Sequence, residues 1–427
     1  MEIHPTLWTY TADEYRGVYP LLDYIGLVGR VERLDDGTET TRVIKCTPAA
    51  AATIASVCAE LPYEVAMKLL RDLTGWDVDR MTMLRVTDGA GSEFVAETPT
   101  DADVIPAAGS AETGGDILRE RIDRLEISPD RMTAIEKAVL DGPGGVPRGD
   151  YSGPVTKVMF VECDGTGVPG RHEELAGVRG KQPDGSARTF EAKVGAVFAA
   201  DHTADGSPLL TAGGEIYRDR RISYMGTTRK TEDFGPMLRR HALDNGLGDA
   251  DAVVFLGDGA KWVWGIQERF FPGAITCVDM YHAIEHVDNL IEHVQLKGRS
   301  VAARRSELKD RLVAMLRTGD IQGMLDTVEA MPRMKGHEER FKKAKGYFQK
   351  NMDRMNYGVL TALGIFVGSG VIEAGAKVIV GNRMKCAGMH WSKENAENMI
   401  ALRCAVRNGG FLDTYLDNHT VPSWHAA

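Results

Sequence analysis

The sequence predicts an α/β fold: a mixed sheet flanked by helices, interrupted by an all-α insertion and preceded by a mainly helical N-terminal domain. Three observations carry this. Residues 48–91 show helical patterning only. Beyond the break DGPGGVPRGDYSGP, near residue 150, β-branched runs first follow one another and then alternate with helical stretches. Residues 283–360 then read as almost continuous helix with few strand signals.

The N-terminal part spans residues 1–150. TPAAAATIASVCAEL, PYEVAMKLLRDLTG and DVDRMTMLRVTDG read as three short helices. Thr47 before Pro48 suits an N-cap, and Gly75 and Gly89 suit C-terminal stops. Short helices with tight turns fit a helix-turn-helix at 48–91. They fit an ordinary packing domain equally well, since the third helix offers only Arg80 and Arg85 as cations. Residues 96–115 form a Pro/Ala/Gly-rich linker, followed by one helical stretch, ILRERIDRLEISPDRMTAIEKAVL.

Five strands are expected after residue 150: TKVMFVECDG, ARTFEAKVGAVFAAD, PLLTAGGEIYRDRRISYMG, DAVVFLGDGA and AITCVDMYH. The helix KWVWGIQERFF separates the last two, with Trp262 and Trp264 read as its core residues. Residues 151–283 and 361–427 are thus assigned to the sheet domain, and 284–360 to the helical insertion.

The chain has 427 residues and is 43% apolar, enough for a sizeable core. No run of about 18 apolar residues occurs, and MEIHPTLWTYTADEYRG lacks the pattern of a signal peptide, so a cytoplasmic protein without membrane contact is expected. Six cysteines are widely spaced without a CxxC pair, which argues against a zinc ribbon and a disulfide framework. The net charge of −10 argues against a generic nucleic-acid binder. The acidity sits in the first third, however, where 15 basic residues face 27 acidic ones. Residues 297–350 are locally basic, with Arg304 and Arg305 in one run, so a DNA-binding face is expected there.

Asp164 and Asp258 each follow an apolar run and precede glycine. Either both are ordinary Asp-Gly turns, or both emerge at strand ends into a cleft. With the later Glu373, they suit a site for two Mg²⁺ ions, Mn²⁺ substituting, that works on phosphodiesters. The segment CVDMYHAIEH adds Asp279 and His282. It also contains an H-x-x-E-H pattern, in which His282 and His286 would bind zinc and Glu285 would act as the base of a metalloprotease. After Glu373 come Lys377, Arg383, Lys385 and Trp391, cations and an aromatic suited to a nucleic-acid backbone and an exposed base.

The ordered blocks CDGTGVP, LGDGAKWVW, VDMYHAIEH and GVIEAGAKVIVGNRMKCAGMHWS resemble bacterial insertion-sequence transposases of the DDE type. The likeness is nearest the ISKra-type group, allied to Mutator-like and hAT-like enzymes, and it covers residues 155–407. It implies a ribonuclease-H-like fold with a helical insertion, and Asp164, Asp258 and Glu373 as the metal-binding triad. Glu394 and Glu397 lie close enough to compete for the third place. It further implies Asp279 and His282 near the DNA strand being cut, double-stranded DNA as partner, a nucleoid-associated location, and a homodimer or larger assembly. The acidic N-terminal third departs from the family's usual basic character. It leaves room for a domesticated, non-catalytic DNA-binding protein.

Overall fold

Val155–Pro169 (β1) is the spine of the sheet in this computed structural model, which describes residues 29–33, 39–43, 48–105, 116–180, 182, 185–218, 221–296 and 300–419. The other strands are Thr189–Thr203 (β2), Ser223–Thr227 (β3), Ala252–Gly257 (β4) and Ile275–Val278 (β5). Their order is β3-β2-β1-β4-β5. β1 pairs antiparallel with β2 from Val155↔Thr203 to Pro169↔Thr189, and β2 pairs antiparallel with β3. β4 runs parallel to β1, and β5 parallel to β4. Parallel neighbours need crossover connections. Helix Thr231–Asp244 supplies the one before β4, and helix Lys261–Phe270 the one before β5.

β1 is almost continuously apolar because both faces of the sheet are covered. Val158, Met159, Phe160 and Val161 are all buried. One face joins the core formed with Phe234, Leu238, Phe255 and Val263. The opposite face packs Val168, Ala192 and Val194 against Ile372, Ile379, Met399 and Ile400.

The N-terminal helices are Pro48–Glu60 (α1), Tyr63–Thr74 (α2) and Arg80–Ser92 (α3). Gly75 ends α2 in the left-handed region at φ 73°, its N–H donating to the Arg71 carbonyl, as expected. The expected stop at Gly89 is corrected: α3 runs on to Ser92, because Ala90 and Gly91 are buried on its packing face. The proposed Thr47 cap lies outside the described residues. These helices share a core with Leu402, Phe411 and Tyr415 from the last two helices, Lys393–Asn408 and Phe411–His419.

Three further expectations are refined. The stretch 117–140 is two helices, Asp116–Ile127 and Arg131–Asp141, because Pro129 disfavours helical backbone at Ser128. Within 96–115, Asp101–Val104 forms a helical turn in a Thr100–Asp103 capping box, with Val104 buried; residues 106–115 lie outside the described residues. The third strand shrinks to Ser223–Thr227, while Leu209–Leu210 pairs instead with Val146–Pro147.

After β5 comes a helical stretch: Met280–Ile291 (α4), Val301–Thr318 (α5), Ile321–Glu329 (α6), Glu338–Asn351 (α7) and Tyr357–Ala362 (α8). The helix Gly370–Ala376 (α9) then carries Glu373, and continues through a π-helical segment, Lys377–Gly381. No helix among the described residues is long and apolar enough to cross a membrane. The five described cysteines are all free, and four of them are buried.

Candidate active site

The strand register brings the acidic residues to one edge. Glu162 lies opposite Leu256, and Gly257 opposite Val278. Continuing each ladder sets Asp164 level with Asp258, and Asp258 level with Asp279, on strands about 4.8 Å apart. Asp164 is not at a strand end, as expected, but inside the β1–β2 ladder, paired with Val194. The glycines after it keep the strand going: a Cβ on Gly165 would meet the Glu191 carboxylate at 2.7 Å, and one on Gly167 the Thr189 hydroxyl at 2.8 Å. Asp258 does leave the end of β4, where Gly259 takes φ +92° and the Asp258 carboxylate accepts the Ala260 N–H at 2.8 Å.

Glu373 comes to this edge from the far end of the chain, and two residues hold it there. Glu162, fully buried two residues before Asp164, accepts the Ile372 N–H through Oε2 at 2.8 Å. Its other oxygen makes no hydrogen bond. Burial, reinforced by Asp279 and Glu373, pushes the Glu162 carboxyl up to about 8. Asp279 caps α4, accepting N–H bonds from Tyr281 and His282, and Oδ1 also accepts the Ser369 N–H at 3.1 Å. Ser369 Oγ in turn donates to Glu373 Oε1 at 2.9 Å. Asp279 is therefore buried scaffolding in this conformation, with both oxygens engaged by backbone amides.

The electrostatics tie the three acids together. Burial raises the Asp164 carboxyl, and the charges of Asp258 and Glu373 raise it further, opposed by the Gly165 N–H and by His282. Lys385 donates to Thr166 Oγ1 at 2.7 Å; desolvation lowers its ammonium's pKa, opposed by the Asp164 charge. Asp164, Asp258 and Glu373 each engage one oxygen with a local donor. Such an all-oxygen donor set under mutual repulsion has the chemistry a hard divalent cation requires. Among the described residues, no group of three or more His, Cys, Asp or Glu is already drawn together for a metal ion.

His282 and His286 do share a face of α4, with ring centroids 5.0 Å apart. His286 stacks on Tyr347 of α7 at 3.6 Å, and the Tyr347 hydroxyl donates to the Asp258 carbonyl at 3.4 Å. Glu285 is turned to solvent, 3.6 Å from His282 Nδ1.

Two expected DNA contacts are corrected. Arg383 is fully buried: Nε donates to the Cys58 carbonyl at 2.7 Å, and the guanidinium lies over the Tyr63 and Trp391 rings. Trp391 is buried too, its Nε1 donating to the Met384 carbonyl. Arg383 docks the segment after the Glu373 helix onto α1 and α2, Trp391 packs beneath its guanidinium, and both side chains are withdrawn from solvent. Lys377, Lys385, Arg304 and Arg305 are exposed. Glu397 is engaged elsewhere: it accepts from Thr227 Oγ1, Thr228 Oγ1 and the Thr228 N–H and pairs with Arg229. Glu394 is an exposed residue in the first turn of its helix. Sequence reasoning missed Glu162, Ser369 and Tyr347. Only Glu162 left a signal, a charge inside the apolar run VMFVEC, in strand phase with Asp164.

No family model matches the chain. Over 143 residues it is 27% identical to the "UPF0236 protein in vanSb 3'region" of Streptococcus gallolyticus. That stretch is 34% of this chain and 30% of the relative, so the chain spans under a third of that protein's length.

Proposed function

We propose that the chain is a DNA transposase of the DDE type, which cuts and joins DNA at the ends of its own insertion sequence. The observation that supports this reading is that Asp164 and Asp258 stand level on the neighbouring strands β1 and β4, while Glu162 fastens the helix carrying Glu373 to β1. The strand order β3-β2-β1-β4-β5, with only β2 antiparallel to β1, supports a ribonuclease-H-like sheet, interrupted by the helices between β5 and α9. The likeness to the UPF0236 protein, over 34% of this chain, is consistent with a transposase-like relative.

In this reading Asp164, Asp258 and Glu373 would hold Mg²⁺, or Mn²⁺ in its place. Bound metal would supply the acidification of the attacking water or 3′-hydroxyl and the neutralisation of the leaving oxygen. The protein's own groups do the rest. Glu162 and Ser369 fix Glu373 against β1. His282, within electrostatic reach of Asp164, offers a donor to the scissile phosphate. Lys385, Lys377, Arg304 and Arg305 neutralise backbone charge. Two element ends require paired active sites, hence a homodimer or larger assembly working on double-stranded DNA at the nucleoid.

The test is strand cleavage and strand transfer on DNA carrying the chain's flanking genomic ends, with Mg²⁺ or Mn²⁺, comparing wild type with Asp258→Asn. Metal-dependent nicking lost in the variant supports the reading. Binding without cutting under every metal condition would instead favour a domesticated binding protein. Proteolysis that needs zinc and His286 would favour the metalloprotease.

A further inference from the structure

A groove of volume ≈ 840 Å³ runs between α4 and α7, beginning at Gly259 beside Asp258. On α7 its wall is a stripe at three- and four-residue spacing: Arg340, Lys343, Tyr347 and Lys350. Facing it on α4 are His286 and Asn289. The stripe spans roughly 15 Å at 1.5 Å per residue. Arg340, Lys343 and Lys350 make no ion pair among the described residues. Neighbouring cations on the same helix do: Lys342 pairs with Glu339, and Lys345 with Glu329. Three cations without an ion pair, beside the paired Lys342, thus line one side of a groove in which Glu292 is the one acid among the described residues.

We infer that this groove holds a single strand of the nucleic-acid substrate as it leaves the carboxylate cluster. The inference rests on the transposase reading and names which part of the DNA the helical insertion takes. Charge selects a polyanion, and the groove's geometry selects one strand. His286 and Tyr347 are in ring contact, so α4 and α7 pack directly, with axes about 8–10 Å apart. Such a cleft excludes a duplex and admits one backbone. Lys350, Lys343 and Arg340 meet successive phosphates, while the His286 and Asn289 side chains present polar groups to sugars and base edges. The Tyr347 hydroxyl bond to the Asp258 carbonyl joins the head of the groove to the reacting centre.

The experiment compares a blunt duplex with a duplex of the same sequence bearing a single-stranded tail, by fluorescence anisotropy across a salt series. The proteins are wild type, the triple variant Arg340→Gln/Lys343→Gln/Lys350→Gln, and Lys137→Gln as an exposed control; thermal melts check that each is folded. The inference expects wild type and the control to bind the tailed duplex tenfold or more tighter than the blunt one. The triple variant loses that preference, and its log K against log salt slope falls by about 2 for three phosphates on a single strand. Equal binding of tailed and blunt DNA by wild type, or a triple variant with unchanged slope, overturns the groove while metal-dependent cutting still supports the transposase. A triple variant that weakens both DNAs equally also overturns the single-strand assignment. If wild type neither binds nor cuts any DNA, the transposase reading itself fails and the groove assignment fails with it.

Discussion

Glu162 Oε2 and the Ile372 backbone N–H are 2.8 Å apart, although 210 residues separate them in sequence. This one bond fastens the strand carrying Asp164 to the helix carrying Glu373. Glu162→Ala leaves a buried amide without its acceptor and opens a void, so it should destabilise the fold by about 2–3 kcal/mol. Glu162→Gln keeps a neutral acceptor of the same shape and should cost less than half as much. Urea denaturation of the two variants decides it; equal losses would mean that the hydrogen bond is incidental.

Arg383 offers a second test, because its burial makes it a structural cation. Arg383→Lys cannot reproduce the Nε bond to the Cys58 carbonyl or the flat contact with Tyr63 and Trp391. It should cost about 3 kcal/mol in chemical denaturation and, on the transposase reading proposed above, leave the salt dependence of DNA binding unchanged. A variant of wild-type stability with a shallower salt slope would return Arg383 to the DNA interface.

Gly91 inverts the usual helix rule. Gly→Ala within a helix commonly gains up to about 1 kcal/mol. Here a Cβ would lie 2.3 Å from the Asn398 carbonyl oxygen, where α3 crosses the helix Lys393–Asn408. Gly91→Ala should therefore destabilise, by about 1–3 kcal/mol, and lower the melting temperature. The exposed neighbour Gly89, with open space around its Cβ position, should respond with the ordinary sign.

His202 sets an acid limit on stability. It is fully buried on β2, and burial, opposed by the Ala200 and Leu363 backbone carbonyls, pushes its pKa down from 6.5 to about 4. The native state thus binds this proton less readily than the unfolded chain. The associated stability is complete above pH 6.5 and drains as pH falls toward 4, by about 1.4 kcal/mol for each pH unit. Melting curves of wild type and His202→Leu should diverge in slope across that window. Parallel curves would rule the histidine out as the acid-sensitive group.

The sheet was legible in the sequence because β1, β4 and β5 are buried on both faces and read as unbroken apolar runs. The position of Asp164 within its strand was not. Asp-Gly is turn chemistry locally, and only the Glu191 and Thr189 side chains crossing from β2 explain why glycine belongs in a ladder there. Arg383 and Trp391 misled for a related reason. A cation and an aromatic after a helix look alike whether they face solvent or α1, and tertiary packing alone distinguishes them. Asp258 was legible as a candidate because it follows an apolar strand, and Glu373 because it sits in a helical pattern. Their anchors were less so: Ser369 is an ordinary loop serine until the fold sets it under Glu373.

The first helices share their core with the last ones. Ile54, Ala55 and Met83 are buried together with Leu402, Phe411 and Tyr415. On the ribosome, therefore, α1–α3 emerge long before the surface that completes them. They must wait, with their apolar faces uncovered, through the synthesis of some three hundred further residues. The same closing helices follow the one that brings in Glu373, so the N-terminal core and the carboxylate cluster are finished by the same late stretch of chain. A chain that stops before Gly370 would lack both Glu373 and the helices that complete the N-terminal core.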